Sequence, residues 1–270
     1  MKIWSNTFTL DGLVGDLTFT TDPTVADVAL IGGKAIDLAD FPRLRGIFKC
    51  GVGRDNVPEA EAAARGIAVG FPSRQTAAII HDETANFACH LILTGLYAGT
   101  GDVATWTKHP RRALAGRTLL VVGTGNIGGR VARKMASFMH VTAYDVATHP
   151  EADLDRLIPE ADCVTLHVPL TPASRGFWGA ARLAAMRPGS LLVNTARAPL
   201  VDEAALYDAV THGRLKAAFD VFWQEPYSGR LTTLPHDSFI ATPHIASTCN
   251  EFIEGTAADF RAFLQGLTRP

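Results

Sequence analysis

Residues 118–145, TLLVVGTGNIGGRVARKMASFMHVTAYD, constrain the fold of this chain more than any other stretch. An apolar run ending at Val122 has buried-strand character, Gly123, Gly125 and Gly128 follow at G-x-G-x-x-G spacing, and a helical pattern begins at once. Strand, glycine turn and helix in that order are the setting in which this spacing binds a dinucleotide. Gly123 permits the tight turn, Gly125 lets main chain approach a pyrophosphate, and Gly128 lets the helix pack on the strand. The helix start adds free N–H groups and partial positive charge. The next strand, 140–144, ends in Asp145. A carboxylate there accepts hydrogen bonds from the adenosine ribose and repels a 2′-phosphate, which favours NAD over NADP. The glycines alone are also compatible with a glycine-rich turn in some other α/β domain; the terminal acid counts against that.

Around this stretch, apolar runs and helical patterns alternate. Strands are expected at 162–168 (closed by Pro169), 190–195, 215–221 and 239–241, and helices at 152–158, 172–186 and 202–212. That alternation predicts an α/β fold, a doubly wound parallel sheet of Rossmann type with right-handed crossovers. Before it, short runs at 2–5, 16–20, 27–32, 46–51 and 67–71 read as five mostly parallel strands. Pro58 and Gly66 bracket a helix at 57–65, and 36–41 allows a short one. The connection at 6–15 carries Gly12 and Gly15 and is shorter than a usual parallel crossover, so a loop is expected and the direction of strand 16–20 stays open. Residues 75–98 form a long helix broken at Gly99 and Gly101. Residues 102–116, with Trp106, Lys108, His109, Arg111 and Arg112, read as a solvated linker. A terminal helix at 250–266 is free to return to the first lobe.

A net charge of −2 gives no general drive toward nucleic acid or anionic membrane. The first ten residues lack a signal-peptide apolar core, and no apolar run approaches the ~20 residues that cross a bilayer, so a cytoplasmic location is expected. Cys50, Cys89, Cys163 and Cys249 lack metal-ligand spacing and read as buried free thiols, with no metal expected.

Six blocks carry a family resemblance: CGVGRDNVPEAEAAARGIAV (50–69), VVGTGNIG (121–128), HVPLTPASRG (167–176), VNTARAPLVDEAAL (193–206), AAFDVFWQEP (217–226) and TPHIAS (242–247). In this order they resemble the D-isomer-specific 2-hydroxyacid dehydrogenases over most of the chain from Gly46 onward. The resemblance implies a smaller, flavodoxin-like substrate domain at 1–88 plus 246–270 and a dinucleotide-binding domain at 89–245. It implies hydride transfer between NAD(H) and a small 2-oxo acid or D-2-hydroxy acid, and a homodimer formed through the nucleotide domain.

Residue by residue, the resemblance makes Arg197 the grip on the substrate carboxylate, a task suited to a bidentate guanidinium. It makes His244 the acid/base and Glu225 the acid that orients it and favours its protonated form. Val52 and Gly53 match the loop whose amides help hold the carboxylate. Asn126 and Ile127 match pyrophosphate contacts, and His167, Val168 and Pro169 border the adenosine. Thr195, Ala196 and Asp220 match positions near the nicotinamide, Asp220 being placed for its carboxamide. Ala198-Pro199 departs from the glycine common after the arginine, and Ala198, preceding a proline, is expected to be extended. Arg54 and Arg74 would suit a second anionic group on the substrate, with solvent exposure the favoured account. A reading from another class is an NAD(H)-sensing binding protein related to the corepressor branch, which keeps the same three residues. Formate oxidation is disfavoured by Glu225, where formate enzymes carry glutamine.

Overall fold

The computed structural model describes residues 1–268. Packing divides the chain into two compact units: Met1–His81 with the segment from Ser247 onward, and Asp82–Ala246.

The first unit holds a parallel sheet with strands in the order β1 (Ile3–Ser5), β2 (Val28–Ile31), β3 (Gly46–Lys49), β4 (Ala68–Gly70). Every residue of β2 and β3 is buried, as expected where both faces of a parallel sheet are covered. On one face Val28, Leu30 and Phe48 meet Phe260 and Leu264 of the C-terminal helix, Asn250–Thr268. On the other, Ala29, Ile31 and Ile47 meet Leu38, Phe41 and Ala62, the last from the helix α1 (Glu59–Ala64). The alternation follows from successive strand side chains pointing to opposite faces.

The strand expected at 16–20 is reduced to one parallel bridge, Phe19 to Ile3. Ile3 N–H donates to the Thr18 carbonyl (2.9 Å) and Thr20 N–H to the Ile3 carbonyl (2.8 Å). Pairing stops there because Asp22 caps a 3-10 turn opened by Pro23. With the bridge counted as a strand outside β1, the order is 2-1-3-4-5, that of flavodoxin. The segment 36–41 forms only a 3-10 turn, Leu38–Asp40, since Phe41 precedes Pro42 and leaves the helical region at φ −120.

The helix α2 (Arg74–Tyr97) carries the chain into the second unit. The stretch read as a linker folds into an exposed two-residue hairpin, β5 (Gly101–Asp102) and β6 (Thr107–Lys108). There follow β7 (Thr118–Val122), α3 (Gly128–Met135), β8 (His140–Tyr144), α4 (Glu151–Leu157), β9 (Cys163–Leu166), α5 (Ala180–Ala185), β10 (Leu191–Asn194), α6 (Glu203–Thr211), β11 (Lys216–Phe219) and β12 (Phe239–Ala241). The C-terminal helix, already placed in the first unit, is α7. Six parallel strands lie in the order β12-β11-β10-β9-β7-β8. The chain leaves β7 outward to β8 and returns to β9 on the other side, which makes the β7/β9 junction the switch point where such sheets bind ligands.

Leu119, Val121 and Val193 pack against Leu91 and Ile92 of α2 and Val131 and Met135 of α3, while Leu120, Val122, Leu166 and Phe219 face the opposite core. The helix expected at 172–186 is shortened to α5. Gly176 turns the chain at φ 68, and Trp178, fully buried, bridges Val201 in parallel fashion. Its N–H donates to the Leu200 carbonyl at 2.9 Å, a pairing a helix at that point would forbid.

Candidate active site

The fingerprint glycines take separable roles at the switch point. Gly123, at φ 91, ends β7 with its amide on the Tyr144 carbonyl (2.8 Å), and a Cβ there would stand 2.6 Å from the His167 carbonyl oxygen beyond β9. A Cβ at Gly128 would overlap the Gly123 carbonyl, so close helix-to-strand packing requires the third glycine. A Cβ at Gly125 would meet no protein atom within 4 Å. Bareness there serves nothing in the protein's own packing and fits the approach of an external phosphate. The N-cap Ile127 makes no side-chain capping bond to α3, and Asn126 precedes it at the exposed surface.

Asp145 follows β8, where its carboxylate accepts from Thr124 N–H (2.8 Å), Thr124 Oγ1 (2.9 Å) and Ala147 N–H (3.0 Å). The Thr124 amide, then the Ala147 amide, hold its pKa below the usual carboxylate value. His167 Nε2 lies 2.9 Å from the buried Thr165 hydroxyl, and burial pushes its pKa down to about 4, so the ring is neutral. Val168 is half-buried against the sheet's core and Pro169 exposed.

After β10, Asn194 is fully buried and clamps the loop that follows: its Oδ1 accepts from Ala196 N–H and its Nδ2 donates to the Arg197 carbonyl, both at 2.9 Å. Neither Asn194 nor Thr124 stood out in the sequence, because each acts on main chain rather than through a motif. Thr195 Oγ1 is buried and finds no hydrogen-bond partner among the described residues. Such an orphan fits a bound polar group, such as the nicotinamide end of the cofactor. Arg197 is extended (φ −148, ψ 132) and half-buried, with Nη1 donating to the Ala196 carbonyl at 2.8 Å. Ala198 is not extended: it begins a 3-10 turn, Ala198–Leu200, closed by Val201 N–H on its carbonyl at 2.9 Å. The Asn194 clamp and the pairing of residues 199–201 with 176–178 outweigh the bias a following proline exerts.

Beyond β11, Glu225 meets His244, which lies just after β12. His244 Nδ1 is 2.8 Å from Oε2 and 3.0 Å from Oε1 of Glu225. Glu225 Oε1 also accepts from Phe222 N–H at 3.1 Å. Burial is the largest influence on Glu225 and pushes its pKa up. The His244 hydrogen bond and charge, the Phe222 amide and the Arg197 charge together outweigh it, and the net shift is downward. An ionised carboxylate only accepts, so Nδ1 carries the proton in this contact. Asp220 is fully buried.

Val52 and Gly53 lie in the first unit, after β3, in a half-buried loop that follows Gly51 at φ 123. Arg54 beside them is bound to Glu59 by Nε (2.9 Å) and Nη2 (2.5 Å) and lies over the Phe71 ring at 4.1 Å. Its charge is answered by Glu59 at the start of α1. No group of His, Cys, Asp and Glu is placed to hold a metal among the described residues, nor is any helix there long and apolar enough to cross a membrane.

Residues 98–246, more than half of the chain, match the model of the D-isomer specific 2-hydroxyacid dehydrogenase NAD binding domain. The chain is 36% identical to a hydroxypyruvate reductase of Thermotoga maritima over 77% of this chain and 72% of that protein. It is 33% identical to a glyoxylate reductase of Korarchaeum cryptofilum over 96% of this chain and 81% of that protein. In fold it is similar to the D-lactate dehydrogenase of Aquifex aeolicus, with a TM-score of 0.80 at 24% identity over 98% of this chain and 96% of that one. This chain belongs to the D-isomer specific 2-hydroxyacid dehydrogenases, and residues 98–246 are its NAD-binding domain.

Proposed function

We propose that this NAD-dependent oxidoreductase reduces small, unphosphorylated 2-oxo acids of the glyoxylate and hydroxypyruvate class, reversibly, to D-2-hydroxy acids. The observation that carries this is the His244 to Glu225 contact at 2.8 Å, which leaves one imidazole nitrogen free to serve a substrate. Arg197 pairs its guanidinium with the substrate carboxylate and so fixes which atoms face the histidine. When bound, NADH supplies the hydride that the carbonyl carbon accepts. His244 Nε2 gives its proton to the carbonyl oxygen as negative charge develops there. Glu225 accepts from Nδ1–H and so orients the ring; Nε2 carries this proton only when both ring nitrogens are protonated, a cation that the Glu225 carboxylate faces. The cofactor is assigned to Gly123, Gly125, Asn126, Ile127, Gly128, Asp145, His167, Val168, Pro169, Thr195, Ala196 and Asp220, on the fits described for Gly125 and Thr195. The amides at Val52 and Gly53 are assigned to the carboxylate.

Arg54, engaged by Glu59 and Phe71, argues for a substrate without a phosphate. A homodimer through the nucleotide domain is supported by Val103 and Trp106, which are 85% and 75% exposed on the hairpin, and the mass in solution tests it. A cytoplasmic location is supported by the thiols of Cys50, Cys89 and Cys163, none of which is in a disulfide among the described residues.

The experiment is a panel of 2-oxo acids, phosphorylated and not, with loss of reduced nicotinamide absorbance as the readout. Turnover of an unphosphorylated member is expected. No turnover by any member, with NADH still bound tightly, would replace the enzyme with an NAD(H)-sensing binding protein.

A further inference from the structure

Asp220 directly follows β11, and its carboxylate receives three hydrogen bonds from a turn more than twenty residues on. Thr242 Oγ1 (2.6 Å) and Ile245 N–H (2.9 Å) donate to Oδ1, and Ala246 N–H (2.9 Å) donates to Oδ2. These donors flank His244 on both sides. His244 itself sits at φ 54, in the left-handed region that residues other than glycine seldom occupy, and its amide folds back on the Thr242 carbonyl at 3.0 Å. A left-handed residue at that point turns the next two amides toward a common centre, a concavity suited to an anion. The anion in it is Asp220. Burial raises the Asp220 pKa, the Thr242, Ile245 and Ala246 hydrogen bonds and the His244 charge oppose that, and the net shift is upward.

We propose that Asp220 is a positioning residue for His244: its carboxylate holds the Thr242 to Ala246 turn in the left-handed form that keeps the imidazole on Glu225. This rests on the assignment of His244 as the proton donor. Two carboxylates then hold one histidine from opposite ends, Glu225 by the ring and Asp220 by the main chain. Glu225 and Asp220 each interact electrostatically with His244, and Arg197 does so with Glu225 in turn.

The test is Asp220→Asn, which keeps the shape but sets an amide NH₂ against at least one inward-pointing N–H. It is read first in the cofactor-free protein, by the nuclear magnetic resonance signal of the His244 Nδ1 proton, assigned by its loss in Glu225→Gln, and by hydrogen exchange of the Ile245 and Ala246 amides. We expect the signal to vanish or broaden and the two amides to exchange roughly 10-fold faster or more. In turnover, kcat should fall by roughly 10- to 100-fold, the scale of a misplaced catalytic group, with the KM for the 2-oxo acid little changed. An unchanged signal and unchanged amide protection, with weakened NADH binding alone, would assign Asp220 to the cofactor only and overturn the proposal. If the Asn variant does not fold, Thr242→Val removes one of the three bonds and keeps the charge. It should show the same two changes in smaller measure, and a turn identical to wild type would again overturn the proposal. Should the unsubstituted protein reduce no 2-oxo acid, the functional reading fails, while the resonance and exchange measurements still decide the Asp220 brace.

Discussion

The two edges of the six-stranded sheet use the same kinds of side chain to opposite ends. At the edge where strands begin, Asp162 ahead of β9 receives Arg112 Nη1 (2.6 Å), Arg187 Nη1 (2.8 Å) and the Thr118 amide (2.9 Å). Nearby, a cavity of about 240 Å³ is lined by His109, Arg111, Arg117 and Lys216. These side chains already have partners: Lys216 Nζ and His109 Nδ1 lie 3.1 and 3.2 Å from the Ala98 and Gly99 carbonyls at the end of α2, and Arg111 stacks over Tyr97 at 4.5 Å. Cations at a helix C-terminus complement its dipole. At the edge where strands end, Asn194 and Asp220 instead hold two loops, and the loops carry Arg197 and His244. The two braces are adjacent, since Asp220 N–H donates to the Asn194 carbonyl at 3.0 Å. One edge closes its polar groups on fixed neighbours and stabilises the fold. The other directs them at main chain so that different side chains stay available.

Substitutions at the two edges should therefore separate activity from stability. His244→Ala should lower reductive kcat by roughly 10² to 10⁴, the usual worth of a positioned acid. NADH affinity and thermal midpoint should stay near wild type; a variant retaining full turnover would remove His244 from the reaction. Asp162→Ala should do the reverse and cost about 1–3 kcal/mol of stability. It strands the Thr118 amide, while Arg112 and Arg187, 56% and 43% exposed, can turn to water. Its kcat at low temperature should be unchanged, and a large loss of kcat without loss of stability would erase the contrast between the edges. Arg197→Lys keeps the charge but not the fork, so kcat/KM should fall by roughly 10-fold or more. Equal kcat/KM would mean that Arg197 does not grip the carboxylate.

Most of the sheet could be read from the sequence because its strands are continuous apolar runs closed by glycine or proline, as at Gly123 and Pro169. The candidate site was legible where a residue's role is local or carried by resemblance, as for the three glycines, Asp145 and the set Arg197, Glu225 and His244. It was not legible where a buried side chain acts on a loop distant in sequence, as Asp220 does on Ile245 and Ala246. No pattern in the residues around Asp220 announces a turn 25 positions later. The same limit explains two of the altered elements. The run at 16–20 has strand composition, yet its pairing is cut short by the turn at Asp22 and Pro23. The helix expected at 172–186 begins only at Ala180, because Gly176 turns the chain and Trp178 is drawn into pairing with Val201.

The smallest effect expected lies at the adenosine end, where Asp145 chooses between cofactors. Its pKa is depressed by the Thr124 amide, then by the Ala147 amide. A carboxylate so held contributes stability that is present above its unfolded value, near ~3.9, and is lost as pH falls through the lower folded value. Between roughly pH 5 and 8 Asp145 is therefore ionised throughout and adds no pH dependence of its own. A phosphate monoester takes its second negative charge near pH ~6. The preference for NADH over NADPH in kcat/KM should then rise by roughly 2- to 10-fold as pH passes upward through that point, because the repelled charge grows while the repelling one stays constant. Asp145→Ala should narrow the preference at every pH and flatten the rise. Thr124→Val, which removes the hydroxyl bond but leaves the amide bond, should keep both the preference and its slope. A preference indifferent to Asp145→Ala would place cofactor choice elsewhere on this edge. A slope that survives the substitution would mean that another charge senses the phosphate.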